Sequence, residues 1–529
     1  MDAMAEMRPF LRTIAENPDD DNPRLVFSDW LEENGHQDRA EFIRLQIELA
    51  NMNPSDDGYA EKTARMYRCG VFTSQGTIPF FDHLPCQNSR IAFRRGFIAS
   101  VRTGGAQTLD TSGLEFVPLQ ILRTDRHLID RFAGVTSLKR LEYNDWHDTP
   151  TGLLELFGPD GSFKTLEELQ LMYVNKACLE AGVIPQFDLP RLRNFYLRTD
   201  AFFDLGTSVA SDTDQDESDP YSDNVPWHGL AEYLPKNALP NSKCPLERFI
   251  WHSDDDCDLF NDEDWYWRGP TMESLLEHLR TRNLKQIEVV VYYDDHEGGA
   301  EGYIAAPYQQ NPLELSSSLE CVTLGYGGAK LLKGPKSKLK TIRNYGVDGP
   351  DLFKLLNQPA CSELELLFVE DRHGGWWGPD PKSGPKFTLS NLKTLSLSEE
   401  PLEPFSNCHF PNLTSLLRCG YDKAFQEREW PKLLHLEMSF NKLSELKAFA
   451  QSDCCPNLTT LAVRPQFHPK PEWSELAFLA NCPHMPFLSL IRMYGTHIVK
   501  NGQLLPARSD LMWDDHSVFD FPASIFGRF

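Results

Sequence analysis

The chain has 529 residues, 41% of them hydrophobic, which is enough apolar side chain for a large core and too much for a disordered polymer. Its formal net charge of −25 disfavours a nucleic-acid backbone or an anionic membrane as the main partner. No apolar run approaches the roughly 18 residues of a membrane span, Met1-Asp2-Ala3-Met4-Ala5-Glu6 lacks the basic and apolar regions of a secretion signal, and the 12 cysteines show no disulfide framework, so a cytoplasmic protein with reduced thiols is expected.

Residues 1–53 read as a small helical module. Met7, Phe10, Leu11 and Ile14 follow helical spacing, and Asn17-Pro18-Asp19-Asp20-Asp21-Asn22-Pro23 breaks it. A second helix is predicted with Leu25, Val26, Trp30 and Leu31 on one face, closed by Asn34-Gly35. A third carries Phe42, Ile43, Leu45, Gln46 and Leu49, and Asn53-Pro54 ends it. Residues 54–116 read as a linker and cap.

The phrases Phe10-Leu11-Arg12-Thr13-Ile14-Ala15-Glu16-Asn17-Pro18-Asp19-Asp20-Asp21, Pro23-Arg24-Leu25-Val26-Phe27-Ser28-Asp29-Trp30-Leu31-Glu32-Glu33-Asn34-Gly35 and Arg39-Ala40-Glu41-Phe42-Ile43-Arg44-Leu45-Gln46 resemble the bacterial repeat-companion domain. That family is a short N-terminal module placed ahead of leucine-rich and other repeats. Phe93-Arg94-Arg95-Gly96-Phe97-Ile98 is similar to the junction that often follows it. The resemblance covers about 50 residues and implies context and architecture, but no reaction.

From about residue 138 to residue 490, within a repeat region read as 117–500, an L-x-x-L-x-L phrase recurs, as in Leu166-Glu167-Glu168-Leu169-Gln170-Leu171 and Leu392-Lys393-Thr394-Leu395-Ser396-Leu397. Thirteen strand-like cores start at Leu138, Leu166, Leu192, Leu246, Leu284, Leu319, Leu339, Leu364, Leu392, Leu413, Leu433, Leu458 and Met485, about 29 residues apart on average. Helical spacing recurs between cores at 272–279, 443–449 and 473–479. The expected fold is therefore α/β: a curved, irregular leucine-rich-repeat solenoid behind a small all-helical module. An acidic insertion at 206–226 and a loop at 371–386 interrupt the pattern, and 501–529 is expected to be a cap or tail.

The chemistry-bearing motifs are absent from the sequence. There is no phosphate loop, nucleophile elbow, zinc helix or C-x-x-C pair. Cys455 and Cys482 occupy places where other copies carry Leu, Phe or Trp, so core packing is expected of them. No metal, cofactor or catalytic residue is expected, and the chain is read as a non-enzyme.

Surface residues remain as candidates. Strand alternation turns the residues between the leucines onto the concave face. Those candidates are Glu168, Gln170, Asn194, Tyr196, Glu288, Val290, Lys393, Ser396, His435 and Glu437. Trp376 and Trp377 are candidate loop anchors, because tryptophans concentrate interface energy. Asp254, Asp255, Asp256, Asp258, Asp262, Glu263 and Asp264 form an acidic patch within a stretch, 200–264, that holds 17 acidic and 3 basic residues. The expected function is a scaffold or adaptor that binds a partner protein, with a basic surface favoured by that patch. The alternative is a subunit that presents substrates to a separate enzyme. Oligomeric state is not encoded in any of these features.

Overall fold

The computed structural model describes residues 3–54, 56–69, 90–103, 114–144, 149–174, 176–199, 237–253, 286–291, 320–324, 339–345, 349–370, 386–397, 402–493 and 495–507. The chain divides into two compact units, one joining Met1–Leu138 to Pro335–Phe529 and the other comprising Lys139–Gly334.

The first unit begins with helices α1 (Ala3–Glu16), α2 (Asn22–Glu33), α3 (Gln37–Ala50) and α4 (Tyr59–Arg68). The apolar stripe of α1 buries Met7, Leu11 and Ile14, as its spacing predicts. On α2 the buried face is Arg24, Phe27, Ser28 and Leu31, whereas Leu25 and Val26 are 37% and 56% exposed. The expected face of α2 is thus corrected by about one residue in rotation. Phe27 wins the interior because it meets Phe10, Trp30 and Phe97 at ring-centroid distances of 5.6, 6.0 and 6.0 Å. Helix α4 lies in the stretch read as linker.

Strands β1 (Arg90–Arg94) and β2 (Phe97–Arg102) form an antiparallel hairpin, and β3 (Ile121–Asp125) pairs with β2 in parallel. The hairpin turns at Arg95 and Gly96, with φ of 52° and 85°. Two consecutive positive φ values give the twist of a tight hairpin turn, and glycine bears the second without strain.

The second unit carries β4 (Arg140–Asn144), β5 (Glu168–Val174), β6 (Asn194–Thr199), β7 (Arg248–Ser253), β8 (Gln286–Val291) and β9 (Cys321–Leu324), each paired in parallel with the next. Leu141, Leu169, Phe195 and Phe249 share one register row and are fully buried. Helices α5 (Pro150–Phe157) and α6 (Lys176–Glu180) lie in the crossovers between β4, β5 and β6.

The chain then returns to the first unit with β10 (Thr341–Tyr345), β11 (Leu366–Glu370), β12 (Thr394–Ser396), β13 (Ser415–Gly420), β14 (His435–Phe440), β15 (Thr460–Pro465) and β16 (Leu490–Arg492), again parallel in sequence. Ile342, Leu367, Leu395, Leu416, Leu436, Leu461 and Ile491 are the buried row. Strands β17 (Thr496–Lys500) and β18 (Gln503–Pro506) close the array as antiparallel hairpins.

These observations correct the expected solenoid. The chain is a mixed α/β protein with two large, mostly parallel sheets and intervening helices, not a coil of one repeated strand, turn and helix. The connections show why. Gly349–Leu356 and Leu443–Ala450 are helices, Glu403–Phe405 is a single 3-10 turn, Trp473–Asn481 is a 3-10 segment, and the last pairings are antiparallel. A leucine spacing near 29 specifies a strand per period but leaves the return segment free. Within the first unit α4 also packs against β17, so the module meets the C-terminal strands.

Candidate functional site

In each unit, strand alternation places the leucine rows on one face and polar side chains on the other. In the second unit that polar face carries Arg140, Glu168 and Asn194 in one register row and Glu142, Gln170 and Tyr196 in the next. Glu168 holds the group together. Its carboxylate meets Arg140 Nε at 3.2 Å and accepts from Gln170 Nε2 at 2.7 Å and Asn194 Nδ2 at 3.3 Å. Glu168, Gln170 and Tyr196 are 4%, 3% and 0% exposed. The expectation that they face solvent is therefore corrected: a carboxylate this buried is retained because three donors satisfy it. Asn194 is half-buried, and Glu288 and Val290 lie on β8.

In the first unit Lys393 precedes β12, is exposed, and pairs with Glu365 at 2.9 Å. Ser396 is buried at 2% exposure, with no partner for its hydroxyl. His435 and Glu437 are half-buried on β14, where His435 Nδ1 lies 2.8 Å from Thr460 Oγ1 and Glu437 pairs with Arg464 Nε. Lys393, His435 and Glu437 thus remain accessible, and Ser396 does not. Trp376, Trp377, the patch from Asp254 to Asp264 and the 206–226 insertion lie outside the described residues.

The sequence reading missed the irregularity that shapes this face. Between Leu416↔Leu436 and Cys419↔Met438 the register of β13 and β14 shifts, so Leu417 and Arg418 together oppose Glu437. Arg418 adopts φ of 50°, unusual for a residue with a Cβ. Its half-buried guanidinium has no hydrogen-bond partner for Nε. A sequence signal did exist: after Leu413 and Leu416 the next inward position should be apolar, yet position 418 is arginine. Arg464 and Arg492 add cations on β15 and β16, so among the described residues Glu437 shares this part of the face with three arginines. The arrangement offers donors and one carboxylate at strand spacing, about 4.8 Å apart. It is suited to holding an extended polar segment.

Two further features lie toward the C-terminal end of the first unit. Residues of α4 and the C-terminal strands line a cleft of about 350 Å³ between Arg68, Asn481, Met485 and Gly502. Nearby in sequence, Cys454 and Cys455 bring their sulfurs to 3.7 Å, with Ser452 Oγ 3.0 Å from Cys454 Sγ. Adjacent residues in an extended strand point apart, so this approach reflects the bend before β15. Cys482 donates to the Ala450 carbonyl at 2.9 Å, in keeping with its expected packing role. Among the described residues no group of three His, Cys, Asp or Glu is placed to hold a metal ion. Nor is any described helix long and apolar enough to cross a membrane. The chain matches no protein-family profile, and comparison with curated proteins finds no relative.

Proposed function

We propose that this chain is a non-enzymatic binding protein that engages a partner protein through the polar sheet face of its first unit. The observation that carries this reading is the half-buried polar group spread over three register rows of β13 to β15. Arg418, His435, Glu437 and Arg464 stand there on a rigid parallel framework, neither solvated nor buried away. Rigid presentation lowers the ordering cost of binding. The partner is a protein rather than a nucleic acid, given the chain's net charge of −25. The N-terminal helices, read as a repeat-companion-like module, brace the β1–β2 hairpin in this reading. The described cysteines are buried and free, which suits a reducing compartment such as the cytoplasm.

The test is affinity purification of the tagged chain from its host, in parallel with a His435→Ala, Glu437→Ala, Arg464→Ala variant. A stoichiometric protein lost in the variant, with the melting temperature retained, supports the reading. A partner retained in full by a folded variant moves recognition to another surface and ends it.

A further inference from the structure

We infer that the bulge in β13 is a carboxylate-binding site, built to take an acidic side chain of an extended peptide laid across β12 to β15. The inference rests on the proposed binding face and names the chemistry that the face selects.

Three observations converge on one place. The register shift puts Arg418 on the polar face beside Leu417, where an unbroken strand would turn position 418 toward the core. Its φ of 50° stores strain that the surrounding pairings maintain, a pattern associated with functional positions. The guanidinium is half-buried, its Nε is sealed from solvent, and that Nε has no acceptor. A buried charge-bearing donor without an acceptor is costly, and an incoming carboxylate removes that cost.

The neighbouring strands supply further donors. Ser396 on β12 is in register with Leu417, and Ser439 on β14 is in register with Gly420. Adjacent strands lie about 4.8 Å apart, so the two hydroxyls flank the bulge from either side. Both side chains are more than nine-tenths buried, at 2% and 6% exposure, and both hydroxyls lack a partner. Among the described residues Glu437 is the carboxylate in register with the bulge, and its Oε1 pairs with Arg464 on the far side. Arg418 Nε is left without an acceptor, and in this inference that place goes to an incoming carboxylate. The local sign of charge opposes that of the whole chain, whose net charge is −25. Long-range repulsion therefore excludes diffuse polyanions, and a short segment with one well-placed carboxylate is favoured.

The probe is a fluorescent peptide of alternating glutamate and threonine, titrated by anisotropy into the full chain at low salt. The variants are Arg418→Gly, Arg418→Lys and Ser439→Ala. Glycine suits the positive φ, so Arg418→Gly is expected to melt no lower than the wild type while weakening the peptide by roughly tenfold or more. Lysine keeps the charge and loses the planar fork, so an intermediate loss is expected. The matched peptide with glutamine for glutamate should not bind, and inorganic phosphate at millimolar concentration should not displace the acidic peptide. Unchanged affinity in a folded Arg418→Gly protein overturns the inference, as does equal binding of the glutamine peptide. Displacement by phosphate overturns the carboxylate assignment. If a partner purified from the host binds wild type and Arg418→Gly equally, the binding function stands and this site falls. If the peptide depends on Arg418 while no host protein co-purifies, the site stands and the proposed function falls.

Discussion

Gln46 Oε1 accepts a hydrogen bond from the backbone N–H of Gly96 at 2.7 Å, joining α3 to the turn of the β1–β2 hairpin across 50 residues of chain. Arg39 reaches the carbonyl of the same glycine, so both polar backbone groups of Gly96 are held by the helical module. A Cβ at Gly96 would stand 2.5 Å from Ile43 Cγ1 and 2.8 Å from its Cα, at a φ of 85°. Steric overlap and left-handed strain therefore act together in Gly96→Ala, with an expected loss of about 2–4 kcal/mol. Gln46→Ala, which removes only the acceptor, is expected to lose about 1–2 kcal/mol. Chemical denaturation of both variants checks the order; a Gly96→Ala protein as stable as wild type would refute the docked geometry.

The junction phrase Arg94-Arg95-Gly96-Phe97 was legible as a motif, but its docking partners were not. Arg39 sits over the rings of Phe42, Phe93 and Phe97 at 5.2, 5.9 and 5.6 Å. A buried arginine caged by aromatics has no signature in helical periodicity, which scores it as polar and turns it outward. The same limit explains α2, where Arg24 took an interior place and Val26 an exterior one. The strands were read more successfully. Leu138, Leu166, Leu192, Leu392, Leu413, Leu433 and Leu458 each precede by two residues the start of a strand, because a leucine-spaced phrase carries both core contacts and pleat alternation. What lies between strands depends on packing against returns of unequal length, and there the expected solenoid failed. In the candidate site, His435 and Glu437 followed from alternation, whereas Arg418 needed the bulge.

Phe157 anchors the second unit. It is fully buried and touches Tyr143, Phe163 and Phe187 at ring-centroid distances of 6.1, 6.2 and 5.3 Å. Phe157→Ala is expected to cost about 3–5 kcal/mol, since aromatic neighbours cannot collapse fully into the cavity. Hydrogen exchange should show lost protection in 149–199 with protection kept in 402–493, because the two segments belong to different units. Equal loss in both segments would show that the units unfold as one.

Cys454 differs in acidity from Cys69, Cys361 and Cys408. The hydrogen bond from the Cys455 thiol, outweighing burial and aided by Ser452, brings its pKa down to about 7. Burial pushes Cys69, Cys361 and Cys408 up to about 12. The thiolate ultraviolet absorbance of the native protein, taken as the difference between wild type and Cys454→Ser across a pH titration, should show a midpoint near pH 7. The stability consequence has a definite sign. A folded pKa below the ordinary value of 9.0 contributes stability that is fully present above pH 9 and is lost as pH falls through about 7. Wild type should therefore exceed Cys454→Ser in denaturation midpoint by more at pH 9 than at pH 6. A gap that does not change with pH would refute the assigned thiolate.

Glu437 provides the sharpest test of charge on the polar face. It opposes Arg418 across the bulge and pairs with Arg464, with Arg492 two strands along in the same register row. Glu437→Gln keeps the side-chain shape and removes the carboxylate that pairs with Arg464. The side chains of this ion pair are each 20% exposed, so neutralising Glu437 should cost about 1–3 kcal/mol and leave the protein folded. Its affinity for an acidic peptide should rise by about threefold to tenfold at low salt, with the gain shrinking as salt is added. The opposite substitution, Arg464→Gln, leaves Glu437 to turn toward Arg418 and should weaken the same peptide. If both substitutions move affinity in the same direction, the face does not discriminate by charge, and the peptide is held by shape or backbone pairing instead.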